Sequence, residues 1–263
     1  MKVFYALSLL GLGISSVFAE GTLGHEANWT LRQSGTSWLQ ANDPTLLRPR
    51  LQTQWENEDR SDGDSSGKVF VNLREAVLLS PNLAFGIQAE IPLLWASEGG
   101  EDFSGLGDAE FRVGFVSRLS PKWRFGLGLN GRFDSASEAE LGDGLFELRP
   151  IAALRWDASK QLNLGINVER TFTPSPKDQK TVETLQIRLP IVVKMNHSWS
   201  GSVSYQPKWN LAKGDSRSDR LDLSATVVLG KSKHFALTFG VEIPLSADTL
   251  DAKSFVGLQW FYR

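Results

Sequence analysis

The sequence predicts an all-β fold, a transmembrane antiparallel up-and-down β-barrel of about twelve strands, and three observations carry that reading. Apolar and polar residues alternate over runs of about ten residues or more. Short and long connections between the runs strictly alternate. The aromatic residues gather at the two ends of the runs, as two girdles would require.

The chain opens on an address. Lys2 gives a positive start, Val3 to Val17 form an apolar stretch with small interruptions, and Val17-Phe18-Ala19 supplies small residues before a cleavage point. Residues 1–19 therefore read as a secretory signal peptide. Its removal lowers the basic count from 28 to 27 against 30 acidic residues, so the mature charge is −3. Residues 20–45 lack a clean period and are rich in Gly, Ser, Asn and Gln, which suits an irregular N-terminal lead-in or plug. The barrel is predicted over residues 46–263.

In the first run, Leu47, Leu51, Thr53 and Trp55 alternate with Arg48, Arg50, Gln52, Gln54 and Glu56. Trp123, Phe125, Leu127, Leu129 and Phe133 alternate with Arg124, Gly126, Gly128, Asn130 and Arg132. The same period returns over Gln161–Glu169, Leu185–Val193, Trp199–Asn210 and His234–Leu245. With the weaker runs, this gives strands of roughly 10–13 residues. Eleven residues at about 3.3 Å each, tilted near 40°, span roughly 28 Å, the thickness of a bilayer's hydrocarbon. In lipid every backbone N–H and C=O must be paired, so such a sheet has to close.

The short links are Ser80-Pro81-Asn82, Ser120-Pro121-Lys122, Ala158-Ser159-Lys160, Asn196-His197-Ser198 and Gly230–Lys233. The long, acidic ones are Asn57–Gly67, Ala96–Gly105, Ser135–Gly144, Thr173–Lys180, Ala212–Asp219 and Ala247–Ala252. With the short links placed in the periplasm, Trp55, Trp95, Phe133, Phe146, Phe172 and Trp209 mark the outer interface. Phe85, Phe115, Trp123, Trp156, Trp199, Phe235, Trp260 and Tyr262 mark the inner one. Pro92, Pro150, Pro190 and Pro207 fall inside strands, where each removes a ladder donor, so bulges or local register breaks are expected there.

Composition narrows the chemistry. The 263 residues are 41% hydrophobic and 22% charged, with a mean hydropathy of −0.20, which excludes a helical membrane bundle. Zero cysteines exclude a disulfide framework, a thiolate metal site and a cysteine nucleophile. A net charge of −2 offers no sign of a nucleic-acid partner. Gly126-Leu127-Gly128-Leu129-Asn130-Gly131 matches a dinucleotide fingerprint by letter, but it sits within a strand pattern with no helix following. Its glycines are read as making room for bulky inward side chains. His25, His197 and His234 share no metal-ligand spacing, so neither a cofactor nor a metal is expected.

Gly105-Leu106-Gly107-Asp108, leading into an amphipathic strand, resembles the GLGD segment of the outer-membrane barrels grouped as the meta-pathway of phenol degradation transporters. Ile91-Pro92-Leu93 and Leu148-Arg149-Pro150-Ile151-Ala152-Ala153-Leu154 fit the same layout, and the likeness runs from about Leu46 onward. The resemblance implies a barrel of this size that moves small compounds, aromatic ones among them, across the outer membrane, with no catalytic residues. Val256-x-Leu258-x-Trp260-x-Tyr262 resembles the C-terminal signal read by the barrel-assembly machinery, although it ends in Arg263 instead of an aromatic.

The inward face near mid-membrane is predicted to carry Gln88, Glu90, Glu110, Arg112, Asn130, Arg132, Glu147, Arg149, Asn167, Glu169, Arg188 and Gln206. One reading is a pore lining that selects small-molecule solutes by size and charge. The other is an interlocked ion-pair network filling a narrow barrel. Basic candidates outnumber acidic ones along the strands while the outer loops are acidic, which favours anionic or neutral polar solutes. The expected function is passive passage of small molecules through the bacterial outer membrane, with its lipid and lipopolysaccharide as neighbours. The alternatives are a plugged scaffold or adhesin acting through the acidic loops, and an outer-membrane lipid hydrolase. The hydrolase would need a Ser and a His together near the outer leaflet, and His197-Ser198 falls at the wrong end.

Overall fold

In the computed structural model the described residues are 49–59, 65–98, 101–174, 181–212, 216–230, 234–246 and 253–262. The predicted signal peptide and lead-in lie outside them. Thirteen strand segments follow in order. They are β1 (Arg50–Asp59), β2 (Ser65–Ser80), β3 (Leu83–Glu98), β4 (Glu101–Leu106), β5 (Glu110–Arg118), β6 (Trp123–Arg132) and β7 (Glu147–Asp157). The remainder are β8 (Leu162–Phe172), β9 (Glu183–Lys194), β10 (Trp199–Asn210), β11 (Ser216–Leu229), β12 (Phe235–Pro244) and β13 (Lys253–Trp260).

Every ladder is antiparallel, and β1 pairs with both β2 and β13, so the sheet closes on itself. Segments β4 and β5 both pair with β3 and occupy one place in the wall, which makes a twelve-strand barrel. Every strand segment except β4 has a ladder on both sides, which meets the condition for a sheet to cross lipid.

Burial is inverted relative to a water-soluble protein. Gln52, Gln54, Asn72, Arg74, Asn130 and Gln259 are buried, while Leu93, Phe111, Leu127, Ile191, Val203 and Leu258 are exposed. The pleat's period of two sends polar residues inward and apolar residues out along each strand. The outward belt faces lipid.

The aromatics at the short-turn end pair across strands. Trp123 stacks on Trp156 with centroids 5.7 Å apart, and Phe85 meets Phe115 at 5.1 Å. Phe133 and Phe146, at 5.4 Å, mark the opposite end. Turn chemistry repeats as well. Ser120 Oγ accepts the Lys122 and Trp123 N–H groups, Ser159 Oγ those of Gln161 and Leu162, and Asn196 Oδ1 those of Ser198 and Trp199. A short oxygen-bearing side chain that closes its own turn is why Ser and Asn recur there.

Two expectations need correction. The span Ala96–Gly105, read as a long loop, is mostly hairpin: β3 continues to Glu98 and β4 starts at Glu101. Apart from Phe103 the stretch holds only polar or small residues, so no alternation revealed it. The prolines behave differently from one another. At Pro150, Pro190 and Pro207 the ladder skips positions but resumes in the same register, as from Leu148↔Phe172 to Ile151↔Glu169 and from Tyr205↔Leu189 to Lys208↔Gln186. Pro92 does coincide with a bulge. Pairing on its far side changes from Glu90↔Glu110 to Leu93↔Leu106, so Gly107-Asp108-Ala109 stand opposite Ile91 and Pro92.

Candidate solute pathway

All twelve predicted lining residues occupy inward positions of the pleat, and the space they enclose divides into two compartments. The outer one holds about 780 Å³ and is bounded by Arg132, Glu147, Arg149, Glu169 and Arg188, together with Asp143 of the β6–β7 connection and Lys208. The inner one holds about 210 Å³ and is bounded by Gln88, Glu90, Glu110, Arg112, Asn167 and the Glu56–Lys68 pair. Arg149, Glu169 and Arg188 line both. Asn130 and Gln206 line neither: Asn130 Nδ2 donates to Glu110 at 2.8 Å, and Gln206 accepts from Gln186 Nε2 at 3.1 Å.

The β5–β6–β7 register explains the outer half of this lining. Arg112, Asn130 and Arg149 stand in one cross-strand row, and Glu110, Arg132 and Glu147 in the next. Arg149 lies between opposing carboxylates, bonding Glu110 Oε1 at 2.9 Å through Nη1 and Glu147 Oε2 at 2.7 Å through Nη2. Lys68 binds Glu56 at 3.1 Å, and Arg132 pairs with Asp143 and, at 3.4 Å, with Asp108. Six basic residues (Lys68, Arg112, Arg132, Arg149, Arg188 and Lys208) and six acidic ones (Glu56, Glu90, Glu110, Asp143, Glu147 and Glu169) face the two compartments. The compartment walls are therefore balanced in number, not basic.

What differs is pairing. Among the described residues, Arg112, Arg188 and Lys208 have no carboxylate within ion-pair distance, and neither Glu90 nor Glu169 has a cation there. Glu90 instead accepts a hydrogen bond from Asn72 at 3.0 Å.

Toward the short turns the inward face changes character. Leu78, Ala84, Val116, Val192, Val228, Ala236 and Phe261 are buried there, with Arg124 and Arg155 gathered on Asp157. His197 lies in the β9–β10 turn, and His234 Nδ1 meets the Phe261 carbonyl at 2.9 Å. Among the described residues no group of three or more His, Asp or Glu could hold a metal ion.

With this geometry in view, the comparisons are specific about architecture. An outer-membrane channel from Pseudomonas putida F1 superposes with a TM-score of 0.72 at 11% identity, over 83% of this chain and 98% of that one. The fold is that of an outer-membrane β-barrel. NanC porin matches with a TM-score of 0.56 at 11% identity, over 80% and 98% of the two chains. The CymD monoaromatic hydrocarbon channel matches at 0.53 and 10% identity, over 91% of each. No protein-family model and no curated protein sequence matches the chain.

Sequence reasoning missed Lys208, Lys68, Glu56 and Asp143 of the lining. The first three share the inward parity of their strands, and Lys208 stands in one cross-strand row with Gln186 and the predicted Glu169, so the period alone could have found it. Asp143 belongs to a connection, where no period operates.

Arg149 gives a direct test of the network. R149Q leaves Glu110 and Glu147 facing each other without their shared cation, a loss on the order of 3 kcal/mol. The expected result is a lower urea midpoint for the folded barrel in vesicles, largely recovered by adding E147Q. An unchanged midpoint for R149Q would mean that the network carries no stability.

Proposed function

We propose that the barrel is a passive, non-enzymatic channel for small polar solutes across the outer membrane of a Gram-negative bacterium, with anions favoured. The observation that carries this reading is the pair of compartments inside the wall, which share Arg149, Glu169 and Arg188 as lining. Balanced walls give little long-range steering, so selection falls to groups free to bind a passing solute. Those without an ion-pair partner among the described residues are Arg112, Lys208 and Arg188, the last donating to Gln186 at 3.4 Å, against Glu169 and Glu90, the latter accepting from Asn72 at 3.0 Å. The Gly105–Asp108 segment supports placing the chain with the meta-pathway barrels and makes small aromatic carboxylates the first solutes to try.

The test is conductance of the purified protein in planar bilayers, with the reversal potential read across a salt gradient and benzoate compared with chloride. Unitary steps with anion preference support the channel. Their absence favours the second reading, a closed scaffold, which draws on the buried apolar and Arg-Asp layers at the short-turn end.

A further inference from the structure

We propose that Asp108 is a latch that holds the β6–β7 connection as the fixed rim of the outer compartment and so sets the width of its mouth. The consequence for width rests on the channel reading; the latch itself rests on geometry alone.

The bulge opposite Pro92 places Asp108 between two strand segments, with its side chain wholly buried. Asp108 Oδ1 accepts the backbone N–H groups of Ser135 and Ala136, each at 3.1 Å, and Oδ2 accepts that of Asp143 at 3.0 Å. Arg132 Nη2 lies 3.4 Å from the same carboxylate and also binds Asp143. Both oxygens are therefore committed, one to each end of the connection.

The backbone on either side reinforces this hold. Phe133 N–H donates to the Ala109 carbonyl at 3.0 Å, and Ser137 N–H to the Leu106 carbonyl at 2.8 Å. Ser135 Oγ accepts from Ala109 N–H at 2.9 Å, and Ser137 Oγ from Leu106 N–H at 3.0 Å. The fit is close: Gly142 has no room for a Cβ, and the first atom a Cβ at Gly105 meets is the Ser137 hydroxyl, which S137C removes. A Cβ at Gly142 would lie 2.6 Å from Ala136 Cβ and 2.8 Å from Asp108 Oδ1, and one at Gly105 would lie 2.2 Å from Ser137 Oγ. A single 3-10 turn, Ala139–Leu141, sits at the crest with Leu141 and Leu145 buried beneath it. The connection then presents Gly142, Asp143 and Leu145 to the outer compartment.

The latch needs a carboxylate. An amide at this position has one acceptor oxygen, so Asp108→Asn turns an N–H₂ toward either Asp143 or the Ser135–Ala136 pair, donor against donor. The volume is kept while half the hold is lost.

A chain without cysteine permits a clean replacement of the latch. A Cβ at Gly105 lies 3.5 Å from Ser137 Cβ, a separation that a disulfide spans. The full-length protein is reconstituted in vesicles for digestion with a glutamate-specific protease and in planar bilayers for recording. Wild type is expected to resist cleavage after Glu138 and Glu140 and to give a quiet open level. D108N is expected to be cut there at least tenfold faster, with current noise raised several-fold. The oxidised D108N/G105C/S137C variant is expected to return both readouts to wild type, and a reductant to undo the return.

The latch is overturned if D108N is cut no faster than wild type, or if a verified cross-link restores neither readout. Should D108N fail to fold, G105C/S137C with Asp108 intact decides. Oxidised and reduced forms should then agree within twofold, and a tenfold protection by the cross-link would show that Asp108 alone does not hold the connection, which overturns the latch. If wild type carries no current the channel reading fails, yet the protease arm still judges the latch.

Discussion

Replacing Arg112, Arg188 and Lys208 together with glutamine is expected to convert an anion preference into a cation preference, with the ratio of anion to cation permeability falling at least fivefold. These side chains belong to β5, β9 and β10, and among the described residues they have no ion-pair partner. Removing them leaves Lys68, Arg132 and Arg149, each held by a carboxylate, facing an unaltered set of six acidic residues. The wall goes from balanced to three negative charges in excess. Because none of the three lies within ion-pair distance of a carboxylate among the described residues, the substitution breaks no salt bridge of the wall. The measurement is the reversal potential in a tenfold salt gradient. A potential unmoved by the triple substitution would show that ions pass by another route or that selection lies elsewhere.

Gly114→Val is expected to have the largest effect on folding. Gly86, Gly114 and Gly128 form a cross-strand row over β3, β5 and β6. A Cβ at Gly114 would lie 2.7 Å from the Leu127 carbonyl oxygen and 3.2 Å from Gly128 Cα, both of them backbone. Backbone within a ladder cannot turn aside as a side chain can, so β5 and β6 must separate. Overpacking of this kind costs about 3 kcal/mol, and the expected result is loss of the compact, heat-modifiable band on unboiled gels. Gly201→Ala is the control, since the atom met first there is Met195 Cε, the far end of a flexible side chain, at 3.0 Å. A G114V protein with the gel mobility and urea midpoint of wild type would refute the steric account.

The parts of the molecule legible in the sequence are those governed by the pleat. Trp123↔Trp156 and Phe235↔Trp260 are opposite pairs near the short turns, and both were placed at that girdle by alternation and turn spacing alone. Outward Leu127 and Leu129 against inward Asn130 and Arg132 follow from the same period of two. The bulge was only half legible. Pro92 announced a disturbance, but the extra residue sits on the partner segment, at Gly107–Ala109. The sequence marks Asp108 as the end of the Gly105–Asp108 motif but gives no sign of its role, for a clear reason. Its partners are backbone N–H groups 27 to 35 positions away, and a backbone donor has no residue type for a pattern to register. Pairing states were likewise hidden. Arg149 and Arg188 have the same inward parity, and only the fold shows that one is saturated by Glu110 and Glu147 while the other is not.

The ladder between β1 and β13 has a consequence for how the molecule is made. It joins Leu51 to Trp260, partners about two hundred positions apart, whereas the other ladders of the wall link segments close in the chain. Hairpins such as β2–β3 can form as soon as their own residues are available, but this seam cannot exist until the whole wall has been threaded. Until then the growing sheet has two raw margins, each able to capture a stranger's strand. Substitutions along Thr53, Trp55, Val256 and Leu258 should therefore act on the timing of the final event, accumulating open intermediates that are otherwise correctly paired.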